Sequence, residues 1–367
     1  MIDFFRKPVR SASQARDSGA AKRIASVRAN VLSLKRKRGV RRLPMKVAIL
    51  GFILLTSSLV VAAPPVPTAT QAINALGLDL WRATSSTKDN LLLSPYSIQS
   101  ALAMTYAGAA GVTRDEMMKV LHYPQDASTL HDSFAQLRLQ LATGPKSTKS
   151  AEPGKTHDAT VAPLTLSVAN RLYAQRDYAF KTNFLSLLNG KYDTSLVPVD
   201  FKKNAAGVAT EINKWVEQQT HERIRNLISP TALDESTRLV LVNALYFKAV
   251  WAESFPITAT TTEPFNIRGG AEAEVPMMIR RSHFGHVPFR GGQAVTVPYR
   301  GGEFQFLILL PDSTNGLSEL QKTLTPEFLQ QCASLKQRDV VLHLPKFTFE
   351  PPTLALSSVL KVLGMKT

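Results

Sequence analysis

The chain has 367 residues, of which 44% are hydrophobic and 20% charged, a composition typical of a globular protein and not of a disordered one. The formal net charge is +16, but residues 1–46 hold 14 of the 44 Lys and Arg residues and, of the acidic ones, only Asp3 and Asp17. The rest of the chain carries about +4, so we expect no nucleic-acid partner for the folded part. Cys332 is the single cysteine, which excludes an intrachain disulfide and a cysteine-based zinc site.

A leader is predicted at the start of the sequence. Residues 47–63 form an unbroken run of apolar or small residues after a basic segment, and Ala62 and Ala63 offer small residues for cleavage. This pattern predicts a secretory signal peptide over residues 45–63 and a secreted, extracellular or periplasmic protein. The alternative is an uncleaved anchor that holds the domain outside the membrane, with residues 47–63 as the only membrane contact.

Two further segments flank the predicted signal peptide. Residues 1–44 form a basic extension, and Met45 with Lys46 would make an ordinary start for a signal peptide. We therefore expect either that translation begins at Met45 and the assigned start is incorrect, or that residues 1–44 form a real cytoplasmic tail. Residues 64–70 are predicted to be a proline-containing linker, and the main domain is expected over residues 71–367.

Helix signals dominate the first half of the main domain. Ser94 is expected to cap a helix with Pro95 at its first position, and Thr113 with Glu116 resembles a capping box for the next helix. Helical spacing of apolar residues also follows the linker, recurs over residues 130–141 and 205–219, and closes the chain at residues 356–363. Residues 143–163 are predicted to be a polar loop.

Strand signals dominate the second half. Residues 239–250 are continuous and β-rich, which favours a long central strand over an edge strand. Further strands are predicted at residues 164–175, 294–299, 303–310 and 340–344, with Gly301 and Gly302 forming a hairpin turn. Helices first and large sheets later predict a single α+β domain.

No catalytic constellation emerges from the residues. The sequence lacks the phosphate-binding, zinc-protease and nucleophile-elbow motifs. Ser358 and Lys361 match one acyl-transfer spacing without its companion motifs, and we expect them on the outer face of the last helix. His283 and His286 have no third ligand, and Cys332 reads as a buried, inert thiol. We therefore expect no enzyme activity, metal or cofactor.

Five blocks of sequence, taken in order, resemble the serpin family of protease inhibitors. They are NLLLSPYSI with ALAMTYAGAAGVTRDEM at 90–117, EINKWVEQQTHERIRNLI at 211–228, TRLVLVNALYFKAVW at 237–251, EPF and VPMM at 263–278, and LHLPKFTFE at 342–350. These blocks occur in the family's order across residues 71–366. The resemblance implies an α+β fold with three β-sheets and surrounding helices, and suicide inhibition of serine, sometimes cysteine, proteases by insertion of a cleaved reactive loop into the main sheet.

The resemblance also assigns four residues to a conformational gate. It places Ser94, Ser97 and Asn243 at the region where the main sheet opens, and Trp251 at the top of that sheet, where loop insertion begins. From the residues alone, capping serines, a satisfied core amide and a large core side chain are the alternatives.

In the family's order, the reactive loop and the closing strands follow the helix that contains Leu363. We expect this chain, as written, to lack them, so that no bait residue is assigned and no protease is trapped. Three explanations stay open: an inhibitor whose recorded sequence lacks its C-terminal part, an inactive truncated relic, and a non-inhibitory serpin.

Overall fold

A computed structural model describes residues 68–84, 90–142, 164–267, 271–348 and 354–366. The predicted leader segments 1–44 and 45–63, and the predicted loop 143–163, lie outside the described residues. The helices in the described residues are α1 (Thr68–Thr84), α2 (Pro95–Tyr106), α3 (Gly111–Val120), α4 (Ala127–Ala142), α5 (Thr182–Tyr192), α6 (Phe201–Gln219), α7 (Leu317–Thr323), α8 (Pro326–Gln331) and α9 (Leu356–Leu363).

The described strands form two sheets. Their bounds are β1 (Thr165–Gln175), β2 (Ser195–Val199), β3 (Leu239–Lys248), β4 (Thr260–Asn266), β5 (Glu272–Phe289), β6 (Gly292–Pro298), β7 (Gln305–Pro311) and β8 (Gln337–Pro345). The first sheet has the order β2-β1-β3, with β1 parallel to β2 and antiparallel to β3. The second has the order β4-β5-β6-β7, and β8 also pairs with the long, central β5.

Helices cover both faces of the first sheet. On one face Leu241 packs into the main core with residues of α1, α2, α4 and α9, among them Leu102. On the other face Val240, Val242 and Ala244 pack against α6. Alternating side chains of β3 are therefore buried on opposite sides, as the pleat of a strand requires.

Several local predictions are confirmed. Ser94 caps α2 and Pro95 occupies the first position of the helix. Gly301 and Gly302 both have positive φ angles and turn the chain between β6 and β7, where Tyr299 N–H donates to Phe304 O. These features depend on few neighbouring residues, which makes them readable from local sequence.

The prediction that residues 239–250 form a central strand is wrong for the described residues. There, β3 ends the three-stranded sheet and pairs with β1 alone. Its continuous hydrophobicity comes from burial of both faces under helices and not from pairing along both edges.

Two smaller predictions also fail. The capping box of Thr113 and Glu116 is not formed, because α3 begins at Gly111; Glu116 instead accepts a hydrogen bond from Lys366 N–H at 2.8 Å. The predicted linker 64–70 is partly helical, since α1 begins at Thr68. Tertiary contact explains this early start, because Ala69 is fully buried and its N–H donates to Ser133 Oγ at 3.0 Å.

Candidate functional site

The two predicted gate serines stand at the start of α2 and bond to each other. Ser94 Oγ donates to Ser97 Oγ at 2.8 Å and accepts a longer bond, 3.4 Å, from Ser97 N–H. The second bond satisfies one of the free N–H groups at the helix start. Capping is therefore one role of Ser94, as the residues alone indicated.

Asn243 lies in the middle of β3 and pairs with a second, partly buried amide. It stands opposite Asn170 of β1, and its Nδ2 donates to Asn170 Oδ1 at 2.7 Å. Asn170 Nδ2 in turn donates to the carbonyl oxygen of Tyr192 at 3.1 Å, at the C-terminal end of α5. Asn243 Oδ1 is buried and has no hydrogen-bond partner. A buried acceptor left in this state is costly, which makes the position a weak point of the sheet.

The polar chain continues away from the sheet to α4. His131 is 3% exposed, and its Nδ1 lies 2.6 Å from the Tyr192 hydroxyl oxygen. Burial, together with the nearby charge of Arg114, lowers the pKa of His131 to about 4. Burial also raises the pKa of Tyr192 above its ordinary value. His131 and Tyr192 are therefore both uncharged at neutral pH, as the two asparagines are.

The structure forms two polar pairs from three of the predicted gate residues. Asn243 faces the same side of the sheet as Leu241, toward the core that contains α2. Among the described residues no hydrogen bond joins the serine pair to the asparagine pair. The predicted cluster is thus a serine pair on the helix and an amide pair on the sheet.

Trp251 belongs to a separate aromatic group. Its ring stacks on Tyr299 with centroids 4.7 Å apart and an interplanar angle of 7°, and it also contacts Phe255 and Phe306. It forms an isolated bridge with Tyr299 beyond the end of β3. Eight residues separate it from Asn243, up to ~26 Å of extended chain. Trp251 does not join the other three, and its half-buried packing fits the alternative of a core side chain.

Sequence reasoning missed three residues of this site: Asn170, Tyr192 and His131. Asn170 carried a detectable signal, because it is a polar residue at an alternating position of a strand that was correctly predicted. Tyr192 and His131 carried none, because their contact joins residues 61 positions apart.

Helix α6 lies on the opposite face of the same sheet. Ile212 and Val216 are buried against β3, and the Arg171 guanidinium of β1 lies 4.7 Å from the ring centroid of Trp215. This cation–π contact and the apolar core together hold the body of the helix on the sheet.

Other residues considered for chemistry have structural surroundings. Cys332 is buried, and burial raises the pKa of its thiol, which makes it a poor nucleophile. His286 Nε2 lies 3.0 Å from Gln293 Oε1, while Ser358 and Lys361 are exposed on α9. Among the described residues, no group of three or more His, Cys, Asp or Glu could hold a metal ion. No helix in that part of the chain has the length and apolar character needed to span a bilayer.

Comparisons with known proteins show which family this chain resembles. The family model described as "Serpin (serine protease inhibitor)" matches residues 71–367. Iris from Ixodes ricinus is 35% identical over 297 residues, which is 79% of this chain and 74% of the relative. Leukocyte elastase inhibitor from Xenopus laevis is 36% identical over 283 residues, covering 75% and 71% of the two chains.

Solved structures agree with the sequence relatives. Ovalbumin from emu (Dromaius novaehollandiae) has a TM-score of 0.71 and 28% identity, covering 82% of this chain and 78% of the ovalbumin chain. A structure described as "Cleaved Serpin 42Da" has a TM-score of 0.70 and 28% identity, covering 82% and 76%. Because the family model matches well over half of the chain, this protein belongs to the serpin family, a family described as serine protease inhibitors and not enzymes.

Proposed function

We propose that this protein inhibits a serine protease by loop-insertion suicide inhibition. In that mechanism the protease cleaves an exposed loop and forms an acyl-enzyme, and the loop then enters the main sheet as a new strand and distorts the protease. The family match and the relatives named as leukocyte elastase inhibitors support this function. A cysteine protease is the alternative target class.

The family model's match over residues 71–367 is the observation that carries the proposal. Within β3, the buried Asn243 Oδ1 has no hydrogen-bond partner among the described residues, which fits the gate role that the resemblance gives to Asn243.

The proposal assigns no bait position to any residue between 68 and 366, so experiment must identify the protease. Protein isolated from its source is incubated with trypsin-, chymotrypsin- and elastase-type proteases and analysed by SDS gel electrophoresis. We expect the protein from its source, where it carries a reactive loop, to form an SDS-resistant complex with at least one of them.

The matched control is the same protease with its catalytic serine replaced by alanine, which cannot form the acyl-enzyme and should give no such complex. Cleavage of the protein without a complex, across the whole panel, would overturn the proposal. The result would then favour the alternative, a non-inhibitory or inactive serpin.

We also propose that the protein is exported, with residues 45–63 as a cleaved signal peptide. The support is the apolar run at 47–63 with basic residues before it and small residues at its end. N-terminal analysis of the secreted protein should find a start at Ala63 or Pro64. A chain that keeps residues 47–63 and fractionates with membranes would indicate an anchor instead.

A further inference from the structure

A strained segment follows α6 and lies against β3. We call Thr220–Ile228 the strap. Three of its residues have φ angles in the left-handed region: His221 at 49°, Glu222 at 62° and Asn226 at 53°. This region is unfavourable for residues with a Cβ atom, and Asn tolerates it better than His or Glu. Two such residues in succession show that other contacts hold the strap in its conformation.

Buried polar groups tie both ends of the strap to α6. At the first end, Thr220 Oγ1 donates to Val216 O at 2.8 Å and accepts from Ile224 N–H at 3.1 Å. At the second end, the side chain of Asn213 bonds both backbone groups of Ile228, each at 2.8 Å. Thr220 and Ile228 are both buried, so these bonds are less exposed to water than the contacts in the middle of the strap.

The middle of the strap is held differently, by one exposed guanidinium. Arg225 contacts the Glu217 carboxylate at 3.0 Å and the Glu222 carboxylate at 2.9 Å. Its Nε also donates to the carbonyl oxygen of Glu222 at 3.2 Å. Arg225 therefore joins the end of α6 to one of the strained residues. All three side chains are largely exposed, so this attachment is the one that salt and mutation can weaken.

The strap contacts the strand to which the proposed function assigns opening. The ring of His221 lies with its centroid 4.3 Å from that of Tyr246 on β3. Farther along, Ile228 packs into the core shared by α6 and Val242. The body of α6 is fixed by apolar packing, whereas residues 221–226 are held by the His221 ring contact, by the bond from Ile224 to Thr220 and by the exposed contacts of Arg225.

We propose that Arg225 is a latch, a positioning residue that holds the strained strap closed over β3 and thereby sets how readily this part of the sheet opens. Releasing the guanidinium allows His221 and Glu222 to leave the left-handed region, so the strain favours opening. The role of that opening in strand insertion rests on the proposed function. The latch itself is a property of the folded chain without any protease.

Hydrogen exchange on the full chain, in the absence of protease, tests the latch. Arg225→Met removes the charge and keeps the aliphatic stem. We expect the amides of residues 221–226 and 244–248 to exchange about 5–10 times faster in this variant, as expected for loss of a small charge network. The exchange rates of the amides that pair β1 with β2 should not change. Arg225→Lys, which cannot bridge all three acceptors, should give an intermediate increase.

Arg223→Met is the matched control. Arg223 is exposed in the same strap and, within the described part of the chain, forms no ion pair, so we expect no change in exchange. Raising the salt concentration from about 0.05 to about 0.5 M should accelerate strap exchange in the wild type but not in Arg225→Met.

Equal effects of Arg223→Met and Arg225→Met would overturn the latch, as would faster exchange throughout both sheets or no change at all. Because no protease is present, a positive result can coexist with failure of the inhibitory proposal. Conversely, if the protein forms protease complexes but Arg225→Met leaves hydrogen exchange unchanged, the inhibitory proposal would stand and the latch would fail.

Discussion

The two asparagines beneath the main sheet are predicted to contribute unequally to stability, although they bond to each other. Asn170→Ala removes the acceptor for Asn243 Nδ2 and the donor for the Tyr192 carbonyl oxygen, leaving two part-buried groups without these partners. Each such group costs about 1–3 kcal/mol, so this variant should lose about 2–6 kcal/mol of unfolding free energy.

For Asn243→Ala, a destabilising and a stabilising effect on the free energy of unfolding nearly cancel. It leaves Asn170 Oδ1 without its donor, but it also deletes Asn243 Oδ1, which already has no partner in the folded protein. The two terms are of similar size and opposite sign, so we expect a net loss of less than about 1 kcal/mol. The double variant leaves only the Tyr192 carbonyl oxygen without its donor, so it should lose less unfolding free energy than Asn170→Ala.

Urea unfolding followed by tryptophan fluorescence measures these differences, provided that all variants keep the same slope of free energy against denaturant. A loss for Asn243→Ala equal to or larger than that for Asn170→Ala would refute the reasoning. It would mean that Asn243 Oδ1 has a partner in solution, or that the amide pair is not the buried unit seen in the structure.

Three further predictions concern the side chains of His131, Gln99 and Trp251. The pKa of His131 is lowered from 6.5 to about 4, so the folded state favours the neutral ring. The contribution of this ring to the free energy of unfolding is therefore fully present above pH 6.5. The free energy of unfolding should fall by about 2 kcal/mol as the pH drops from 6.5 to 4, a figure that allows for partial solvent screening. His131→Gln should flatten that part of a plot of melting temperature against pH. Gln99→Leu should cost about 3 kcal/mol in urea unfolding, because the buried Gln99 side chain bonds two carbonyl oxygens and the Tyr123 hydroxyl; a loss below about 1 kcal/mol would contradict this. Trp251→Ala should cost about 2–4 kcal/mol through lost stacking on Tyr299, whereas Trp251→Phe should recover about half of it, and equal melting temperatures for both variants would count against the stacking.

Features that depend on neighbouring residues were determined by the sequence itself. Ser94 followed by Pro95 starts α2, two glycines turn the chain between β6 and β7, and the apolar spacing at residues 356–363 gives α9. In each case the relevant energy comes from residues within one or two turns of each other. The serpin resemblance was readable for the same reason, since its blocks are continuous stretches of chain.

The functional site depended on distant residues, and only the tertiary structure decided it. Asn243 meets Asn170 across 73 positions because the register of β1 and β3 places them opposite each other; shifting that register by one residue would turn one of them to the other face. The sequence also did not show that β3 lies at the edge of the described sheet. Burial of both faces under helices produces the same hydrophobic sequence as pairing on both edges, so composition could not distinguish the two. Sequence thus determined the elements and the family, while strand register and layer packing decided which polar groups met and which one was left without a partner.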